Sequence, residues 1–173
     1  MKLLQIITVL SIFCFMQVVL TAQQEDILPP TEFKETFQAD FPTVLNAIKK
    51  TIVDNGCMVE DSKDPKITEE DLYKIVIRTN MCVYVVGEDS TLITMARYSR
   101  AVPVIRAGRW VNGRIQYRII LTENADRTST NMILKSEMSG FEDYVTSKVH
   151  FWNSNGILEK DFLQKLKVNI SNP

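Results

Sequence analysis

Residues 72–86, LYKIVIRTNMCVYVV, alternate apolar and polar side chains over most of their length. Tyr73, Ile75, Ile77, Met81, Val83 and Val85 fall on one face and Lys74, Arg78 and Asn80 on the other, with Cys82 and Tyr84 on the less apolar side. A period of two is that of a strand. A strand that is apolar on one side belongs to a sheet with one face covered and one solvated, the habit of antiparallel sheets. The rest of the chain must therefore supply partner strands and a cover.

Partner strands are legible at several places. EFKETFQA, from Glu32, reads as a first strand anchored by Phe33 and Phe37. NMILKSEM alternates Met132, Leu134 and Met138 with Ile133, Lys135 and Glu137, until Gly140 breaks it. YVTSKVHFW places Val145, Val149 and Phe151 at alternate positions of a last strand. Asn112-Gly113 is the pair best suited to a two-residue hairpin turn, which needs positive φ at both centres. With the turn there, Trp110 faces Ile115, Gly108 faces Tyr117, Arg106 faces Ile119 and Val104 faces Leu121, while Arg109 pairs with Gln116 and Ala107 with Arg118 on the outer side. ENADRTS is a loop, and EDSKDPKITEED, residues 60–71, is an acidic solvated loop broken by Pro65, without the ligand spacing and turn glycine of a calcium-binding EF-hand.

The cover is helical. Asp40 before Phe41 and Pro42 opens a helix in which Val44, Leu45, Ile48 and Ile52 recur at helical spacing, and Asn55-Gly56 stops it. NSNG introduces a closing helix with a stripe of Leu158, Phe162, Leu163 and Leu166. Asp89 and Ser90 can cap a short helix through Tyr98, although TLITMAR also fits a strand. Two greasy helical stripes and a one-faced sheet of about five to six strands are satisfied together in a two-layer α+β domain of helix-grip type, with both main helices on one face.

The N-terminus sets the compartment. MKLLQIITVLSIFCFMQVVLTA, residues 1–22, has a charged start, an apolar middle and a small-residue end, the order of a cleaved secretory signal; an uncleaved anchor is the alternative. Cys14 follows Phe13 rather than the small residue a lipoprotein signal needs, so a secreted or periplasmic protein with no transmembrane segment after cleavage is expected. Residues 23–31 read as a tether and 32–170 as a single domain. Of the 173 residues, cleavage leaves 151, enough for one core. The full chain carries a net charge of -1, so overall charge selects no partner. Cys57 and Cys82 are left as an even pair that an oxidising compartment can join, with two buried free thiols as the alternative. With one histidine in the chain and no spaced ligand set, no metal and no cofactor are implied.

This order of elements, ending in FWNSNGILEKDFLQKL, a polar glycine turn feeding a closing helix, resembles small bacterial envelope domains such as those of the outer-membrane assembly lipoprotein BamC and secreted relatives. The resemblance covers about residues 32–168 and implies the helix-grip fold and a role in the cell envelope; it brings no catalytic motif with it.

Function then rests on one span. Residues 96–119 hold six arginines, Arg97, Arg100, Arg106, Arg109, Arg114 and Arg118, and no lysine or acid, with Tyr98, Trp110 and Tyr117 interleaved. Guanidinium groups bind carboxylates and phosphates by paired hydrogen bonds and stack on rings. An arginine-rich hairpin is therefore expected to meet an anionic lipid or glycan, or an acidic envelope protein, together with His150 and Trp152 in the adjacent HFWNSNG turn. The plainer reading is that acids such as Glu137 or those of the 60–71 loop neutralise these charges, and Arg106, placed among apolar neighbours by the hairpin, calls for a carboxylate partner. Export argues against nucleic acid as the ligand. No nucleophile is spaced to work with His150, so a binding or scaffolding domain is expected rather than an enzyme; a carrier holding an apolar ligand between sheet and helix is the alternative.

Overall fold

The computed structural model describes residues 32–87 and 92–172. The proposed signal and tether, residues 1–31, and the capping pair Asp89 and Ser90 lie outside them. Among the described residues eight strands form one antiparallel sheet with three helices, so the α+β class expected from the sequence holds, with more strands than the five or six anticipated.

β1 (Glu32–Phe37) leads into α1 (Phe41–Asp54), opened as its sequence dictates: Asp40 accepts from the Thr43 amide at 3.0 Å, and Pro42 sits in the first turn. Gly56, at φ 68, takes the left-handed step that ends the helix. β2 (Val59–Ser62) and β3 (Lys66–Ile67) both pair with β4 (Tyr73–Thr79), followed by β5 (Cys82–Val86) and the short α2 (Leu92–Ala96). The long strands β6 (Trp110–Glu123) and β7 (Thr130–Glu142) form the centre, with β8 (Lys148–Trp152) and α3 (Ile157–Ser171) closing the domain.

Each central strand carries two neighbours end to end on its outer edge. β7 pairs with β1 through residues 130–135 and with β8 through 138–142. β6 pairs with β4 through 118–122 and with β5 through 112–115. The inward residues Ile75, Ile77, Ile119, Leu121, Met132 and Leu134 are buried beneath Val44, Ile48 and Ile52 of α1 and Phe162 and Leu166 of α3. The Tyr117 and Phe162 rings meet at 4.9 Å. Lys165 Nζ donates to Asn55 Oδ1 and Asn169 Nδ2 to Thr51 Oγ1, joining the helices at their rim. Residues after α2 cover the other end of the same face, where Trp152 Nε1 donates to Ser99 Oγ at 2.7 Å. The opposite face carries alternating residues such as Lys74, Val76, Arg78, Arg118 and Lys135 to solvent.

Four expectations are corrected. Asn112-Gly113 is no turn: both residues lie inside β6, outside the left-handed region, and Gly113 pairs with Gly140 of β7. The glycines are there for space. A Cβ on Gly113 would stand 2.6 Å from the Tyr84 ring, and one on Gly140 would stand 2.6 Å from the Asn112 carbonyl oxygen and 2.8 Å from Trp152. The chain turns instead at 124–129, where Asp126 Oδ1 accepts from the Thr128 and Ser129 amides, and β7 runs straight through Gly140. Second, the single strand expected over 72–86 is interrupted at Asn80-Met81, next to Thr79, whose hydroxyl oxygen accepts from the Tyr117 amide at 2.9 Å. The interruption shifts the alternation: Cys82 and Val85 point into the core, while Val83 is exposed, and Tyr73 is exposed at the far end. Third, the 60–71 segment contains β2 and β3 rather than only loop. Fourth, Tyr144–Ser147 form a turn, and β8 has the opposite face inward, with Trp152 buried and Val149 and Phe151 exposed.

The shift at Asn80 carries Cys82 to within 5.0 Å (Cα to Cα) of Cys57, and the two form a disulfide.

Candidate functional site

Without a hairpin, the six arginines do not share one surface. Arg97 lies over the ring of its neighbour Tyr98, 5.7 Å from the centroid. Arg100 is half-buried and its Nε has no partner. Arg106 sits exposed in the connection before β6, away from the apolar pairing the hairpin would have forced on it. Arg109 is bound through Nε and Nη2 to both carboxylate oxygens of Asp143, each at 2.8 Å, a contact that raises the pKa of the guanidinium and lowers that of the carboxyl. Arg114 is half-buried with an unpartnered Nε, and only Arg118 projects freely from the open face.

The aromatic candidates are core residues. Tyr117 is buried under α3, and that burial, with the Glu159 and Asp161 charges nearby, pushes its phenol well above the usual range. The Trp110 ring meets His150 and Trp152 edge-on, each at 5.6 Å. His150 Nε2 lies 2.8 Å from Thr146 Oγ1, whose proton goes to Glu142 Oε2, so Nε2 is the donor in that contact.

Glu142, which composition alone does not single out, organises this corner. Its carboxylate accepts from the amides of Arg109, Tyr144, Val145 and Thr146 and from the Thr146 hydroxyl. Burial opposes its ionisation, but the amides of Thr146, Val145 and Arg109 outweigh it and hold the carboxyl far below the ordinary range. These donors occupy the carboxylate as the hub of a turn rather than leaving it free for a substrate. Glu159, buried in the first turn of α3, is similarly held by Ser136 and by Ser154 at 2.8 Å.

A groove on the open face gathers five cationic side chains. It encloses about 580 Å³ and is lined by Lys63, Lys66, Lys74, Arg78 and Arg118, together with Asp61 and Asp64 and the apolar Ile67 and Val76. Alternation along β4 aims Lys74, Val76 and Arg78 to this side, and the β2–β3 segment folds beside them. Arg78 and Arg118 stand directly opposite one another on β4 and β6. Lys66 and Lys74 stand directly opposite on β3 and β4. Like charges at facing positions repel, yet among the described residues none of these five cations forms an ion pair. Asp61 faces Arg78 in the register without pairing with it, and Glu60 accepts from Gln116 Nε2 at 3.0 Å. The next position along the same row shows the usual arrangement: Lys135, opposite Arg118, is met by Glu32 at 2.6 Å, and Glu32 also takes Lys34 at 3.1 Å. Of the expected site residues only Arg118 belongs to this groove. Arg78 and its lysine neighbours were visible in the sequence as the polar side of a strand, but no local signal says which strands place them together.

Among the described residues no group of three or more His, Cys, Asp or Glu side chains is placed to hold a metal ion, and no helix is long and apolar enough to cross a membrane. No family model matches the chain, and no curated protein or solved structure is significantly similar to it.

Proposed function

We propose that the chain is an exported, non-enzymatic binding domain of the cell envelope that holds an anionic ligand in the open-face groove, with Arg78 and Arg118 as its principal contacts. The observation that carries this reading is the pair itself: two arginines at facing positions that form no ion pair, even with Asp61 opposite Arg78, in a protein that pairs Lys135, Arg109 and Arg127. An anion between Arg78 and Arg118 removes the repulsion and gains charge-assisted hydrogen bonds from both. Export is supported by the order of residues 1–22, and the envelope role by the resemblance of the element order to small envelope domains. The groove takes over the part first assigned to a hairpin. The carrier alternative has less support, because the space between sheet and helices is filled by Ile48, Ile52, Ile77, Leu134, Phe162 and Leu166, all fully buried. An acid or base role for His150 is likewise weakly supported, since its carboxylate neighbour is already saturated by the Tyr144–Thr146 turn.

Titration calorimetry with dextran sulfate at low ionic strength tests the reading. Arg78→Gln with Arg118→Gln is expected to weaken binding by about tenfold or more, whereas Arg109→Gln, removing an arginine already engaged by Asp143, leaves it unchanged. Equal affinity in the wild type and the double variant would overturn it.

A further inference from the structure

We infer that the groove engages two separated anionic groups of one ligand, and that this ligand is an acidic polysaccharide; the inference rests on the anion-binding reading above. The groove has two cationic poles. Arg78 and Arg118 form one, Lys66 and Lys74 the other, each a like-charged pair at facing positions. Lys74 and Arg78 are four residues apart on the same face of β4, so the poles are separated by about 13 Å along the strand. A single small anion can neutralise one pole only. A chain bearing anionic groups along its length neutralises both, and the second contact comes at the high effective concentration that the first creates.

The lining between and around the poles selects the kind of polyanion. Val76 and Ile67 are exposed, offering apolar surface to the C–H faces of a sugar ring. Asp61 and Asp64 also line the groove, and their carboxylate oxygens call for hydrogen-bond donors. Ligand hydroxyls supply such donors, and a polyphosphate has none. The lining holds no aromatic side chain on which bases of a single-stranded nucleic acid could stack. Anionic groups, hydroxyls and no need for stacking together describe a sulfated or uronic-acid glycan.

The test is calorimetry on the full folded domain with heparin-derived oligosaccharides of increasing length, from disaccharide to hexasaccharide, and with polyphosphate and oligo-thymidylate as comparators. The hexasaccharide is expected to bind the wild type about tenfold or more tighter than the disaccharide. Lys66→Gln with Lys74→Gln should abolish that gain while the Arg78 and Arg118 pole still binds the disaccharide, and Arg78→Gln with Arg118→Gln weakens binding of both lengths. All four side chains are exposed, and unchanged thermal transitions confirm that the variants fold. A length gain that survives in the lysine variant overturns two-point engagement while leaving the anion-binding reading intact. Tighter binding of polyphosphate or oligo-thymidylate than of the hexasaccharide overturns the glycan assignment. Failure of every probe to bind overturns the anion groove itself.

Discussion

A single charged side chain means little until its partner is known. Arg109 and Arg118 are equally visible in the sequence, yet one is engaged by Asp143 and the other faces Arg78. Residue identity gave six guanidinium groups; only the fold decides which of them are neutralised. Glu142 makes the complementary point, because nothing in EDYVTS marks it beyond its place at a strand end, and its importance comes from four amides converging on it. Its folded-state pKa lies below its unfolded value, so it stabilises the fold fully above the ordinary glutamate pKa of about 4.3. That contribution fades as the pH falls through the lowered folded value. Glu142→Ala should therefore lower the Tm by several degrees at pH 7, and the gap from the wild type should narrow in strongly acidic buffer. Melting curves from pH 7 downward check this, and a gap that widens on acidification would contradict the assignment.

At the level of elements, propensity was right where one helix or strand satisfies itself and wrong where neighbours decide. α1 was legible from its cap to its terminal glycine because those groups are local. The Asn112-Gly113 pair carried an equally strong local signal for a turn, and it was overridden. β7 on one side and β5 on the other hold these residues in an extended ladder, where the missing Cβ of Gly113 admits Tyr84 and that of its partner Gly140 admits Trp152. Gly140→Ala should destabilise the domain by about 1–3 kcal/mol, the usual cost of overpacking, since the nearest obstacle is the rigid Asn112 carbonyl rather than a mobile side chain. Urea denaturation measures it, and a neutral result would mean that the central strands yield more readily than their pairing implies. The strand expected over 72–86 fails similarly: Thr79 Oγ1 accepts from the Tyr117 amide where the pairing with β6 stops, and beyond it Cys82 turns inward and Val83 outward, until the irregularity between Val83 and Val85 returns Val85 to the core.

For the molecule as a whole, that change of face unites the core, the disulfide and the groove. It turns Cys82 inward to meet Cys57, and the bond closes a loop of separation 25 that contains β2, β3 and β4, the elements that carry most of the groove's lining. Cys57→Ser with Cys82→Ser should cost about 3 kcal/mol through the freedom restored to the unfolded chain. Denaturant titration of the oxidised wild type against the double variant tests this, and coincident curves would show that the packed layers hold the loop alone. The sequence by itself determined the two-layer class, the helices and their buried stripes, because periodicity and capping act over one or two turns or a few strand positions. The tertiary structure alone decided where the chain reverses, which face Cys82 takes and which cations are left without counter-charges. Those outcomes depend on strand pairings between residues far apart in the chain, such as Arg78 with Arg118 and Gly113 with Gly140, and a one-residue shift in such a pairing exchanges inside for outside.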